Sequence, residues 1–423
     1  MRSSAEDLVI TGYGVVSPIG IGKDAFWDSL QAGRGGVRFI PPERTIAGRR
    51  WMAGVVQGFD AKEYVQPRKS LKVMCIEIQL AFAAAVLACR EAKLQPGAMD
   101  PDRIGTVFGA EMFFSDNDDV QDIVNRCREG TKMPHERWAT TAMANMYPLW
   151  MLKSLPNMPA CHIGIWLDAR GPNNTLTTEH TSSLAALMEA ARVIQRGQAD
   201  CMLVGATGHR ASLTRLLQRH EEHYSTDYRD PLSVCRPFDQ ERSGTVPGMG
   251  SAVLILERRS HAEGRGVRPL ARLVSWSSRF GVPEHPLGGS SVALASAIQD
   301  SLSKANVTAD QLDHINASAN GSRYLDASEA QAINLAAPAI PAFSLKGYTG
   351  DAGSASGLLE LCASLSGSEH RRVPSTLNHR SVGDDCPLPV IAGDLKDWTK
   401  SDWLKTSLTP YGQAAAVVLR AES

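Results

Sequence analysis

Residues Gly171 to Gly205 read GPNNTLTTEHTSSLAALMEAARVIQRGQADCMLVG. Small and polar residues run up to His180; then Leu184, Leu187, Met188, Ala191 and Ile194 recur three or four apart before Gly197. That period predicts an amphipathic helix closed by a glycine. Cys201 to Val204 read as a short buried strand. The stretch is therefore turn, helix, strand, with His180 at or near the helix N-terminus, where free backbone N–H groups make a positive end.

The same alternation extends in both directions. Leu8 to Gly14 is a β-branched run ending in glycine, and Ile104 to Gly109 is a second buried strand. Between them, Arg68 and Lys69 precede a helical pattern running to Ala92. Beyond the stretch, Pro269 to Trp276 reads as a strand, Ser291 to Ala305 as a helix, and His314 to Ala317 as a strand end. Glu257 to Gly266 is a charged, glycine-punctuated link, and strand, helix, strand order recurs on both sides of it.

With 423 residues, 43% of them hydrophobic, the chain can hold two core-bearing halves. Its 44 basic and 45 acidic side chains make no electrostatic case for nucleic acid. No run of 18 apolar residues could span a bilayer, and the first residues lack the apolar core of a signal peptide, so the expected location is cytoplasmic. Eight cysteines lie scattered without metal-ligand spacing, as reduced core thiols do. No metal or cofactor is expected. Asp116, Asp118, Asp119 and Asp122 read as a solvated helix face or loop, and Lys153 to Gly164, with proline, asparagine and the lone His162, reads as a loop.

Thr178-Glu179-His180-Thr181-Ser182-Ser183-Leu184-Ala185-Ala186-Leu187 resembles the nucleophile turn of β-ketoacyl synthases, written T-A-C-S-S-S-L-x-A-L. Further segments carry the same resemblance. They are Ile10-Thr11-Gly12-Tyr13-Gly14, Arg236-Pro237-Phe238-Asp239 with Arg242 and Gly244, and Asn316-Ala317-Ser318 followed by Asp326 and Glu329. The resemblance spans Leu8 to Leu419. It implies an α/β, thiolase-like five-layer αβαβα fold built of two related halves, residues 1–258 and 267–423.

It also identifies what has changed. The family's acyl-accepting cysteine falls on His180, its first histidine on Ser318 and its second on Asp351, while its lysine is retained as Lys346. Met249 stands where the family has glutamate, and the C-terminal glycine-rich turn reads Ser407-Leu408-Thr409-Pro410-Tyr411-Gly412. Proline cannot supply the backbone N–H that this turn gives to the oxyanion hole. A carboxylate at 351 accepts hydrogen bonds and repels an enolate, and an acyl-imidazole at 180 would hydrolyse readily. The helix N-terminus disfavours an imidazolium at His180 and Glu179 favours one, which leaves its charge open. Ser182 and Ser183, at the helix start, are expected to cap it.

The expectation is a non-condensing, chain-length-factor-type partner of an active ketosynthase in fatty-acyl or polyketide assembly. It would act as a hetero- or homodimer with Met143, Met146 and Tyr147 toward the dimer face or tunnel; a plain core helix explains those residues equally well. An acyl carrier protein could dock at Arg68, Lys69 and Lys72. The alternatives are an acyl-processing enzyme (hydrolase, decarboxylase or acyltransferase) using His180 and Asp351 with Ser318 or Lys346 nearby, and a homodimeric scaffold without a catalytic partner.

Overall fold

The computed structural model describes residues 4, 6–41, 51–111, 117–218, 224–227 and 229–422. Ten strands lie in one row: β1 (Leu8–Ser17), β2 (Ile104–Gly109), β3 (Asn173–Leu176), β4 (Cys201–His209), β5 (Met249–Arg258), β6 (Ala271–Phe280), β7 (Leu312–Ala317), β8 (Ala342–Ser344), β9 (Asp402–Leu408) and β10 (Gln413–Ala421). Their spatial order is β8-β7-β9-β10-β6-β1-β5-β4-β2-β3. Read outward from the β1/β6 junction, the first five strands and the last five run in the same order. Polarity matches too: β2 is parallel to β3 and β4 as β7 is to β8 and β9, and the other pairings within each set are antiparallel. The two sets meet only where Leu8–Ile10 pairs with Ala271–Leu273.

Helices complete the layers. On one outer face α1 (Ile76–Glu91) and α2 (Met158–Leu167) cover β1, β2, β4 and β5. Between the two sets of strands lie α3 (Ser182–Gln195) and, from the far end of the chain, α6 (Ser356–His370). On the other outer face α4 (Ser291–Ala305) packs on α5 (Arg323–Ala336) and covers β6, β9 and β10. This is the expected five-layer αβαβα arrangement. Three hydrophobic clusters fill it, one around the central helices and one under each outer layer, as an α/β fold requires to bury both faces of its sheet.

The predicted helix after His180 is α3, with Gly197 at φ +72° just past its end. Other expectations need correction. Lys153 to Gly164 is not a loop: a 3-10 turn at Trp150–Lys153 is followed by α2, whose Pro159 sits in the first turn, where its missing N–H costs nothing. Ala160, Ile163 and Leu167 are fully buried and share one face, and Trp166 packs on Phe82 of α1 at 5.4 Å between ring centres. The apolar period outweighed the punctuation.

Nor is Trp138 to Trp150 a core helix. Residues 135–145 are one helical run with a π-helical middle, Trp138–Ala142, that stops at Met146; Met143 (77%) and Tyr147 (46%) are exposed, whereas Met146 packs toward Ile123, Cys127 and Ala142. The Glu257–Gly266 link is ordered: Arg259–Gly264 is helical, and buried Glu257 accepts from Thr11, His261 and Arg265. Asp116 lies outside the described residues; Asp118, Asp119 and Asp122 fall on the helix Asn117–Cys127.

Gly109 fixes the seat of α3. A Cβ there would come within 2.7–2.8 Å of the backbone of Ser182 and Ser183. Gly109→Ala must therefore push β2 and the His180 turn apart. A loss of about 1–3 kcal/mol in denaturant unfolding is expected, as for other overpacked sites.

Candidate functional site

Each set of strands sends the carboxyl ends of its parallel members toward the same place, where open α/β sheets carry their sites. Glu111 follows β2 and Arg210 follows β4. From the other set, Ser318 follows β7, Lys346 follows β8 by two residues, and Ser407 is near the end of β9. The 3-10 turns Glu179–Thr181, leading into α3, and Gly353–Ala355, leading into α6, pack on one another there.

His180 is 2% exposed and has a polar neighbour at each of its polar atoms. Its Nε2 lies 2.8 Å from Asp351 Oδ2 and 2.8 Å from Arg210 Nη1. Its Nδ1 lies 2.8 Å from Glu179 Oε2, off the line of a good hydrogen bond. The His180 backbone N–H donates to Glu179 Oε2 at 3.2 Å, and its carbonyl accepts from Ser407 Oγ at 3.0 Å. Glu179 adopts a left-handed backbone (φ +58°), uncommon outside glycine, which strains the turn that aims this carboxylate.

Arg210, 1% exposed, joins the carboxylates. It donates to Glu111 Oε1 from Nε and Nη2 (3.0 and 2.5 Å), to Glu179 Oε2 from Nη2 (2.6 Å) and to Asp351 Oδ2 from Nη1 (2.8 Å). Arg215 stands 3.5 Å from Glu111 at the outer side. Asp351 also accepts from Asn320 Nδ2 (3.2 Å), the Gly353 N–H (2.9 Å) and Ser356 Oγ (3.2 Å). Its acceptor sites are filled.

The electrostatics follow. Burial works against the Asp351 carboxylate, but Arg210 and then His180 outweigh it and hold its pKa well below the usual carboxylate range. Its stabilising contribution is present above the ordinary carboxylate pKa and is lost only as pH falls through that depressed value. Burial likewise opposes a charged His180, and Arg210 adds to that; Asp351 and Glu179 prevail, so its pKa is raised. The two carboxylates thus tilt the charge left open by the sequence toward the cation.

A second cluster lies behind the first. Glu360 of α6 receives Lys346 at 2.7 Å and Lys405 at 2.5 Å, and all three are fully buried. Lys346 Nζ also donates to the Ser318 carbonyl. Burial disfavours both ammonium groups; Glu360 restores Lys346 to a raised pKa, while Lys405 stays lowered. Ser318 is bound to Glu329: its N–H and hydroxyl donate to that carboxylate, which also accepts from Thr406 at 2.6 Å. Asp326 collects the N–H groups of Phe238, Asn320 and Gly321. The two acidic residues thus pin the segment that carries Ser318.

Of the four expected site residues, the structure brings His180 and Asp351 into contact, puts Lys346 one carbonyl away from Ser318, and binds the Ser318 hydroxyl to Glu329. Neither helix-start serine caps α3. Ser182 Oγ accepts from the Thr178 N–H and donates to the Glu179 carbonyl, and Ser183 Oγ is buried without a hydrogen bond, facing Gly357. Met249 is buried, as an apolar replacement should be. In the C-terminal turn, Thr409 Oγ1 accepts the N–H groups of Tyr411 and Gln413, and Gly412 (φ +91°) fits only because a Cβ would meet the Gly281 carbonyl at 1.9 Å. Pro410 adds no donor.

Sequence reasoning missed Arg210, Glu111, Asn320, Glu360 and Lys405. For the first two a signal existed: each is a charge placed directly after a buried strand. A thiol is close as well. Cys235 Sγ lies 3.7 Å from the Asn320 carbonyl, but burial raises its pKa to about 12, so it stays protonated at neutral pH.

Comparison with known proteins agrees with this architecture. The profile of the β-ketoacyl synthase N-terminal domain matches residues 5–262, and that of the C-terminal domain matches residues 276–380. The tetracenomycin polyketide synthase ketoacyl synthase alpha subunit of Streptomyces glaucescens is 31% identical over 431 residues, covering 99% of this chain and 98% of its own. The 3-oxoacyl-(acyl-carrier-protein) synthase 2 of Vibrio cholerae is 27% identical over 387 residues, 89% of each chain. Among solved structures, the ishigamide ketosynthase/chain length factor superposes with a TM-score of 0.83 at 25% identity, covering 99% of this chain and 100% of its own. A β-ketoacyl synthase from Burkholderia phymatum gives 0.87 at 24% identity, with the same coverage.

Proposed function

The chain belongs to the β-ketoacyl synthase family, and from that premise we propose that it is a non-condensing subunit that works beside an active ketosynthase in polyketide or fatty-acyl assembly. The observation that carries this reading is the state of His180. At the family's nucleophile position stands an imidazole with both ring nitrogens and its backbone N–H engaged by Glu179, Asp351 and Arg210. A condensing site needs a free nucleophile and unfilled donors aimed at a developing oxyanion. Here the N–H at position 180 is taken by Glu179, and position 410 is proline.

The residues 1–258 and 267–423 are the two halves of this subunit, a division supported by the strand-for-strand correspondence across the β1/β6 junction. Met143, Tyr147, Leu149, Trp150 and Met151, 39–77% exposed, form an apolar stretch suited to burial against the partner subunit. Among the described residues, β3 is the last strand at one end of the same sheet. Exposed Arg68, Lys69 and Lys72 offer a basic face to an acidic carrier protein. Eight free cysteines suit the cytoplasm; among the described residues no helix is long and apolar enough to cross a membrane.

The test is reconstitution with an intact ketosynthase and its carrier protein. Product length or yield is expected to change when this chain is left out. Identical products at an identical rate without it would contradict the proposal.

A second reading rests on the 2.8 Å His180–Asp351 contact, which could serve as an acid–base pair in an acyl-processing enzyme. It requires turnover by the isolated chain that His180→Ala abolishes. The filled acceptor sites of Asp351 and its depressed pKa make it a weak base, which favours the first reading.

A further inference from the structure

The geometry at His180 contains a conflict with a physical consequence. One ring nitrogen, Nε2, lies 2.8 Å from a carboxylate oxygen and 2.8 Å from a guanidinium nitrogen. A nitrogen bearing a proton can donate to Asp351 but offers nothing to Arg210. A nitrogen with a lone pair can accept from Arg210 but faces the lone pairs of Asp351. The two contacts belong to different protonation states of the ring.

Both states have a complete set of partners. In the cation, Nδ1–H faces Glu179, Nε2–H donates to Asp351, and Arg210 is spent on Glu111, Glu179 and Asp351. In the neutral ring with Nδ1–H, Glu179 keeps its contact, Arg210 donates to Nε2, and Asp351 is left to Arg210, Asn320, Gly353 and Ser356. The other neutral tautomer turns a lone pair on Nδ1 toward Glu179 and is excluded. What changes between the two allowed states is the one direct bond from His180, on the turn that starts α3, to Asp351, ahead of the turn that starts α6.

We propose that His180 is a proton-operated latch joining the α3 and α6 turns, closed onto Asp351 when the ring is protonated and released to Arg210 when it is neutral. The groups that set it come from every element packed around the ring. They are Glu179 on its own turn, Asp351 before α6, Arg210 after β4, Glu111 after β2 acting through Arg210, Arg215 beyond Glu111, and Lys346, whose charge acts on Asp351. Asn320 and Ser407 touch the pair without charge. A base raised in this way keeps the latch closed to higher pH than an ordinary histidine would, and its contribution to stability is lost as pH rises through the raised value.

The latch concerns the same pocket as the proposed function but does not depend on it, because its readout is ring chemistry and not product formation. The experiment is a nitrogen-15 NMR titration of the histidine-labelled full chain from about pH 5 to about pH 10. The His180 signals among the 11 histidines are assigned by their loss in His180→Gln and by their shift in Asp351→Asn. The expected result is an imidazolium below the midpoint and an Nδ1–H neutral ring above it, with the midpoint above the ordinary histidine value. Asp351→Asn should move that midpoint down by about 1–3 pH units. A ring that keeps one protonation state throughout, a neutral form carrying its proton on Nε2, or a midpoint unmoved in Asp351→Asn would overturn the latch.

Discussion

Arg210→Met is expected to lower the unfolding free energy by about 3–5 kcal/mol, the cost of leaving buried charges without their partner. Three carboxylates, Glu111, Glu179 and Asp351, converge on this one guanidinium. Methionine has similar bulk, so lost packing contributes little. The pH dependence identifies the cause. Without the arginine, the buried Asp351 carboxylate titrates at higher pH, and protonation then relieves its desolvation. The deficit between variant and wild type should therefore shrink as pH falls. Chemical denaturation at neutral and mildly acidic pH measures both effects; an equal deficit at both would assign the loss to packing.

Glu360→Gln should cost a similar amount, about 3–5 kcal/mol, for the opposite reason. It leaves Lys346 and Lys405 buried together with one neutral amide between them. Burial already lowers the Lys405 pKa with Glu360 in place. Without the carboxylate, a lysine titrates below its unfolded value, so folding is disfavoured at neutral pH and recovers as pH rises toward about 10. Unfolding measured from neutral to alkaline pH is expected to bring the variant closer to wild type. A gap that widens with pH would mean that Glu360 does not carry the compensating charge.

The two clusters explain why much of this molecule could be read from the chain and some of it could not. The turn, helix and strand around His180 were legible because one apolar period and one glycine determine them. The two-half architecture was legible through the repeated order of elements and the family's segments. The helix at Met158–Leu167 was not, because Asn157 and Pro159 resemble loop punctuation while Ala160, Ile163 and Leu167, a short apolar face, decide the outcome. At the site, His180, Ser318, Lys346 and Asp351 could be singled out one by one from the resemblance, but the groups that meet them could not. Arg210 acts by meeting Asp351, and Glu111 accepts the Ser354 N–H, each from another part of the chain; nothing local to either announces a partner 141 or 243 positions away.

Ser318 makes the same point in reverse. Its position in the pattern suggested proximity to His180, yet its N–H and hydroxyl donate to Glu329, eleven residues on.

The most direct measurement of the central claim uses the purified chain alone, incubated with acyl- and malonyl-loaded carrier protein and analysed by intact-protein mass spectrometry together with product analysis. A His180 held by Glu179, Asp351 and Arg210 predicts no acyl adduct on this chain and no elongated product until an intact ketosynthase is added. An acyl group retained on this chain, accompanied by elongation in the absence of any other synthase, would contradict the account.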